Sequence, residues 1–386
     1  MNIIFLTSAT SEQTFNEICK DSKVLPNPSN QNFYHKVIKA VSLHENVDVV
    51  SLPPYARGVA LNDIRQDDDE CVHYRYVPVQ NNLLFKLLFE KNAIVKLGSE
   101  VIDSYRRKEV VLVVDPLRRN LLRAALKLRA KYHIPVVGVL TDNPYNLTSF
   151  SEKQAKRIIK RASKLDGFLS LTKQLLVNYN VDEKPNYIFE GIVEDIRTYR
   201  KEPLGEYFAF AGSLYERYGV KNLVDAFDKV NAKINLVILG NGPLKNHITN
   251  KSQSDPRILY LSQMSKEKTY AIEQHAIANF NPRPLNPVID EQSIPSKMLE
   301  YLASGQPTIS TKHPRLYDLF KNDVFWIEGN TADDIVAAIK NFLETPESIR
   351  KKKALTAKTK VYTMFGSLPQ GEGIAHFLTS FKYFNN

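Results

Sequence analysis

The sequence predicts an α/β protein built from two doubly wound domains, and three observations carry that expectation. Short apolar runs at 3–7, 47–52, 110–115 and 136–141 have the continuous apolar character of parallel strands buried on both faces. A helical stretch separates each run from the next, and β-α-β-α alternation implies a parallel sheet covered by helices on both sides. The alternation then restarts beyond a polar, charged connector at about residue 200. A chain of 386 residues is too long for one ordinary core, which suggests two domains of roughly 180 residues each. The expected boundaries are 1–200 and 201–365. A C-terminal helix within 366–386 is expected to pack back on the first domain.

Bulk composition narrows the class. Hydrophobic residues make up 43% and charged residues 24%, the balance of a soluble globular protein. No apolar run approaches the ~20 residues of a membrane span. The N-terminus lacks a basic region followed by a long apolar stretch, so it reads as a first strand and not as a signal peptide. Cys19 and Cys71 are too few for a disulfide framework or a cysteine metal site, and unpaired thiols suit a reducing cytosol. The net charge of +10 points to an anionic partner such as a nucleotide, a nucleic acid or an acidic membrane. Nucleic acid is the weakest of the three, since no zinc-ligand pattern, RNA-binding signature or continuous basic arm is present.

In the first half, the polar stretch 8–32 contains a dense breaker cluster at Pro26–Asn30. Phe33–His44 reads as a helix with Phe33, Val37, Ala40 and Val41 on one face. Gln66–Glu70, with four acids in five residues, reads as a solvated loop. Leu83–Tyr105 has helical spacing, with Leu83, Leu84, Phe85, Leu87 and Leu88 crowded among lysines. It reads as a helix packed on the sheet, or as a surface helix that dips apolar side chains into a bilayer. Arg118, Arg119, Arg123, Lys127, Arg129 and Lys131 form a second basic helix, which allows peripheral contact with an anionic membrane. Asp115 and Asp142 each follow a strand's carboxyl end, where ligands bind in such sheets, although a turn or N-cap aspartate is the commoner role.

In the second half, strands are expected at 207–211, 234–239, 258–261 and 276–281, with helices between them. Three loops should line a ligand site. Gly212 and Ser213 follow the first strand, with Arg217 and Lys221 close downstream. Gly240-Asn241-Gly242-Pro243 forms a turn between strand and helix. The third loop is Pro282–Thr311. There Pro295 suits a first helical turn, Met298, Leu299, Leu302 and Ala303 give an apolar face, and Gly305 suits a left-handed C-cap. The N–H groups at this helix start make an anion site, with Lys297 adding charge and Glu300 about one turn away. Phosphate on the N–H groups with ribose on the carboxylate would suit a nucleoside diphosphate.

At these residues the chain resembles a known family. Ala211-Gly-Ser-Leu214, Tyr218-Gly-Val-Lys-Asn-Leu-Val-Asp-Ala-Phe227, Leu239-Gly-Asn-Gly-Pro-Leu244 and Pro295-Ser-Lys-Met-Leu-Glu-Tyr-Leu-Ala-Ser-Gly305 are similar to the donor domain of GT-B glycosyltransferases. The nearest group is the retaining glycosyltransferase family 4. Pro28-Ser-Asn-Gln-Asn-Phe-Tyr-His35 resembles the corresponding stretch of its bacterial surface-polysaccharide members. The resemblance implies GT-B architecture, with two Rossmann-like domains facing a central cleft. It also implies retaining, metal-independent transfer of a sugar from a nucleotide-sugar, UDP-linked by expectation, to a glycan or lipid-linked glycan. No cofactor is expected, and the setting would be the cytoplasm at the inner face of the membrane.

The resemblance also carries residue roles. It implies that Glu300 binds the donor ribose. The N–H groups around Ser293 and Ser296 would bind the diphosphate, while Asn241 and Gly242 would bound the nucleotide end. The family's first glutamate of a pair falls at Gln292, with Glu291 one residue out of register. Its usual phosphate-binding Arg and Lys are replaced by Ser213 and Tyr218, so Arg217, Lys221, Arg283 and Lys297 are the substitutes. Arg217, Lys221 and Asp142 are the catalytic candidates, and Gln31, Asn32 and His35 the acceptor-binding ones. For His35 an ordinary surface or capping role is the stronger reading. Two other classes are alternatives. A GT-B-shaped sugar-nucleotide epimerase would need several acids and histidines where this chain offers mostly bases. A non-catalytic sugar-nucleotide-binding partner would fit the departures at 213, 218 and 292. A dehydrogenase is disfavoured, because no Gly-x-Gly-x-x-Gly follows the first strand.

Overall fold

The computed structural model describes residues 1–21, 28–54, 66–78, 89–292 and 294–383. The chain divides into two units, Met1–Ile192 with Ser367–Asn386, and Val193–Gly366.

The first unit is organised by strands β1 (Asn2–Thr7), β2 (Asn46–Ser51), β3 (Gln66–Asp69), β4 (Val72–Tyr76), β5 (Val110–Val114), β6 (Val136–Leu140), β7 (Gly167–Ser170) and β8 (Asn186–Ile188). They form one sheet in the order β3-β4-β2-β1-β5-β6-β7-β8. Only the β3–β4 pair is antiparallel. Successive side chains of β1 enter opposite cores, as a strand's period of two requires. Ile3 and Phe5 pack with Val37, Ile38 and Val41, while Ile4 and Leu6 pack with Ile94, Leu121 and Leu128. Burial on both faces explains the unbroken apolar runs. The helix Ser367–Ser380 lies against Pro28–Ser42 and adds Ile374 and Leu378 to the first of these cores.

Two expectations are corrected here. The acidic run is a strand and not a solvated loop. Alternation turns Asp67 and Asp69 inward, where Asp67 accepts hydrogen bonds from Ser11, Thr14 and Tyr76, and Asp69 meets His35 Nε2 at 3.0 Å. Outward-facing Asp68 pairs with His73. The breaker cluster does not exclude a helix either. One runs from Pro28 to Ser42, because a proline in the first turn has no N–H that the helix would use. Within the polar stretch 8–32 a further helix forms at Glu12–Asp21. The crowded leucines at 83–88 lie outside the described residues. The helix Glu90–Asp103 that follows buries Ile94, Val95, Val101 and Ile102.

The second unit carries strands β9 (Tyr207–Ala211), β10 (Asn235–Leu239), β11 (Ile258–Ser262), β12 (Ala278–Asn281), β13 (Thr308–Thr311) and β14 (Phe325–Ile327). Their order is β11-β10-β9-β12-β13-β14, and every pair is parallel. From β9 the chain steps outward to β10 and β11, then returns to place β12 on the other side of β9. Strand order therefore reverses between β9 and β12. In open parallel sheets ligands bind beyond the carboxyl ends of the strands at such a reversal.

Candidate functional site

The site at that reversal begins with backbone hydrogen bonds between loops. Gly212 N–H donates to the Leu239 carbonyl (3.0 Å), Leu214 N–H to the Asn241 carbonyl (3.0 Å) and Leu244 N–H to the Leu214 carbonyl (3.0 Å). These bonds join the loop after β9 to the loop after β10. Glycine is required where the backbones approach most closely. At Gly240, with φ of +138°, a Cβ would stand 1.8 Å from the Gly212 carbonyl oxygen. At Gly219, with φ of +75°, it would stand 1.9 Å from the carbonyl oxygen of Pro282, which joins the β9 loop to the loop after β12.

The helix Ser296–Ser304 completes the arrangement. Pro295 is its N-cap residue and not its first helical residue, and Gly305 closes it in the left-handed conformation with φ of +82°. Met298, Leu299, Leu302 and Ala303 are buried, as their spacing predicts. Tyr301 fixes the helix to the end of β9. Its hydroxyl accepts the Ala211 N–H (2.8 Å) and donates to the Ala211 carbonyl (3.0 Å). Lys297 Nζ lies 2.6 Å from Glu273 Oε1 and 2.9 Å from Glu300 Oε2. Burial opposes the Lys297 charge, but Glu273 and Glu300 outweigh it and raise the lysine's pKa well above its ordinary value. The three groups carry a net charge of −1, so this corner of the site suits hydroxyl groups better than phosphate.

The structure separates the basic candidates. Lys221 is paired with Asp225 at 2.8 Å, one helical turn away. Arg283 faces the buried Asp290 at 3.4 Å. Arg217 is exposed and lies 5.1 Å from the ring centroids of both Tyr215 and Tyr218. Among the described residues no carboxylate pairs with it. Ser213 and Asn241 are exposed, and the Asn241 side chain accepts the Gly242 N–H at 2.9 Å. Ser296 is exposed at the helix start, and Ser293 lies outside the described residues. Glu291 is exposed just after the short helix Pro287–Asp290, and Gln292 is half-buried beside it.

In the first unit, strand order reverses at β1, between β2 and β5. Beyond the carboxyl end of β5 lies Asp115, 2% exposed. It accepts hydrogen bonds from the Leu117 N–H (3.0 Å) and the Asn30 amide (3.3 Å). Asp142 is exposed past β6, its carbonyl accepting the Tyr179 hydroxyl at 3.2 Å. Of the residues expected to bind an acceptor, Gln31 is tied to the Thr10 backbone through both ends of its amide (2.8 and 2.7 Å). His35 is held by Asp69, and Asn32 is exposed.

Sequence reasoning misses the roles of Glu273 and Tyr301. Glu273 directly follows Tyr270, Ala271 and Ile272 on the helix Lys266–His275 and is buried with them, but nothing in that stretch names the lysine it meets. Tyr301 was visible as a member of the Glu-Tyr-Leu-Ala stretch, but its partner stands 90 residues away.

Residues 194–360 match the model of the glycosyl transferases group 1 family, which spans nearly all of the second unit. No curated protein sequence matches the chain. Among solved structures, the chain is similar to sucrose-phosphate synthase from Thermosynechococcus elongatus, with a TM-score of 0.69 and 12% identity over 98% of this chain and 99% of that one. It is similar to HepE of Anabaena in complex with UDP, with a TM-score of 0.65 and 12% identity over 98% and 100%. It is also similar to the lipopolysaccharide outer core galactosyltransferase WaaB, with a TM-score of 0.60 and 15% identity over 98% and 99%. The two parallel-sheet units are therefore those of the GT-B fold. The chain is a glycosyltransferase of that fold, with its group 1 domain at 194–360.

Proposed function

We propose that this glycosyltransferase moves a sugar from a UDP-linked donor to a glycan or lipid-linked glycan, with retention of anomeric configuration and without a metal ion. One observation carries the reading: the β9, β10 and β12 loops are joined at the strand-order reversal, beside a helix start and the Glu300 carboxylate. HepE structures described with UDP and with UDP-glucose support the uridine nucleotide. In this reading Glu300 receives the ribose hydroxyls. The N–H groups of Ser296 and Lys297 at the helix start receive the diphosphate, and Arg217, which has no carboxylate partner among the described residues, meets the charge that grows on the leaving phosphate. Lys221 and Arg283 act through their present partners, setting the loop conformation. Asp115 and Asp142 hold the acceptor in the first unit.

A site at the inner face of an anionic membrane belongs to the same proposal. Among the described residues no helix is long and apolar enough to cross a membrane. Two neighbouring helices, Arg119–Tyr132 and Glu152–Ala162, present Arg119, Arg123, Arg157 and Arg161 close together. Burial and then these arginine neighbours lower the Arg161 pKa. Lipid phosphates would relieve that repulsion.

The test is incubation of the purified protein with labelled UDP-sugars and a lipid-linked acceptor. The reading expects UDP release, and a product whose anomeric configuration matches the donor by NMR. Conversion of the free sugar nucleotide without acceptor would identify an epimerase. Donor binding without turnover would identify a non-catalytic binding partner.

A further inference from the structure

Lys297 was expected to serve as a phosphate ligand, yet its ammonium lies between two carboxylates. Glu273 is fully buried, with 0% of its side chain exposed, whereas Glu300 keeps 19%. The two acids come from different elements, Glu273 from Lys266–His275 and Glu300 from Ser296–Ser304. Lys297 and Glu300 are three residues apart and so share one helix face. The Glu273 backbone is also anchored, its carbonyl accepting the Asn279 amide at 3.1 Å from within β12. The Tyr301 ring lies 5.6 Å from the same ammonium. An ammonium approached on these sides by a buried carboxylate, a partly exposed carboxylate and a ring face has few orientations open to it.

We propose that Glu273 is a positioning residue for the donor site: it fixes Lys297, and Lys297 in turn fixes Glu300 in the orientation that receives the ribose hydroxyls. The inference rests on the nucleotide-sugar reading above and adds a residue to it. Electrostatics favours this arrangement over a lysine directed at phosphate. Lys297 already neutralises one of two carboxylates within 3 Å, by the 2.6 and 2.9 Å contacts, and swinging toward a ligand would part it from the fully buried Glu273. Parting a buried ion pair is costly, so the Lys297–Glu273 contact holds and the more exposed, adaptable partner is Glu300. Its position sets how well one carboxylate accepts hydrogen bonds from two adjacent hydroxyls.

The experiment is a calorimetric titration of the full chain and of Glu273→Gln with UDP and with 2′,3′-dideoxy-UDP. The parent is expected to bind UDP at least about tenfold more tightly than the dideoxy form, the scale of a hydrogen bond to a charged group. In Glu273→Gln that ratio should collapse toward one, while affinity for the dideoxy form stays as in the parent. Equal weakening toward both ligands would mean a merely structural role and would overturn the proposal. An unchanged ratio would overturn it as well. A parent that does not distinguish the two ligands would overturn the ribose role of Glu300 and the proposal built on it, whereas discrimination by the parent with an unaffected variant removes only Glu273. Should Glu273→Gln not fold, Glu273→Asp replaces it. That variant keeps the charge but shortens its reach, and the same loss of the ratio is expected.

Discussion

Tyr301 and Ala211 exchange two hydrogen bonds across 90 residues of sequence, the phenol accepting the N–H at 2.8 Å and donating to the carbonyl at 3.0 Å. This pairing places the helix that carries Lys297 and Glu300 beneath the loop that begins at Gly212. Ala211 is only 3% exposed, so its N–H and carbonyl depend on partners within the protein. Tyr301→Phe is therefore expected to cost about 1–3 kcal/mol, the penalty of leaving buried backbone groups unpaired. A lower urea midpoint with an unchanged slope would show it. An unchanged midpoint would mean that the two groups find other partners.

The glycines at the loop junctions make a second, graded prediction. Gly219→Ala combines a positive φ with overlap against Pro282, and is expected to destabilise by at least about 2 kcal/mol. Gly212→Ala meets nothing nearer than Phe210 Cζ at 3.4 Å, so its thermal midpoint should stay close to the parent's. The opposite ranking would contradict the junction described here.

Arg217 is exposed, so its removal should leave stability intact. Arg217→Ala is expected to lower kcat by about 10²–10³, the range seen when one group that stabilises developing charge is deleted. Steady-state UDP release measures it. A loss confined to the KM for donor would place Arg217 in ground-state binding instead.

Glu300→Ala is expected to weaken nucleotide affinity by about 1–3 kcal/mol, the value of one hydrogen bond to a charged group. Calorimetric titration with UDP checks it. Unchanged affinity in a folded variant would remove Glu300 from the site.

The pH prediction concerns Asp115. Burial raises its pKa, against the lowering effects of Arg118 and of the Leu117 N–H. The folded carboxyl thus holds its proton more tightly than the unfolded chain does. Its contribution to stability is present below the unfolded value of about 3.9 and is lost as pH rises through the folded value. Asp115→Asn keeps an oxygen for the Leu117 N–H. It should melt higher than the parent at neutral pH and lose that advantage below about pH 3.9. A variant that melts lower at neutral pH would show that hydrogen bonds to the ionised form outweigh its burial.

The sequence by itself determined the two α/β units, because strands buried on both faces must be apolar throughout and helices must alternate with them. It also determined the helix ending at Gly305 and the glycine loops after β9 and β10, since left-handed backbone and close approach admit little else. Where local pattern misled, long-range partners were the cause. The acids at 67 and 69 resemble solvated residues until hydroxyls from 11, 14 and 76, with His35, come to meet them. Only the tertiary structure decided which cations carry an unpaired charge. Lys221, Arg283 and Lys297 each have a carboxylate partner, and the most buried of those carboxylates, Glu273, lies on a different element from the lysine it holds. A charge reads the same in any sequence. Whether it is neutralised depends on distances of a few ångströms between segments that only folding brings together.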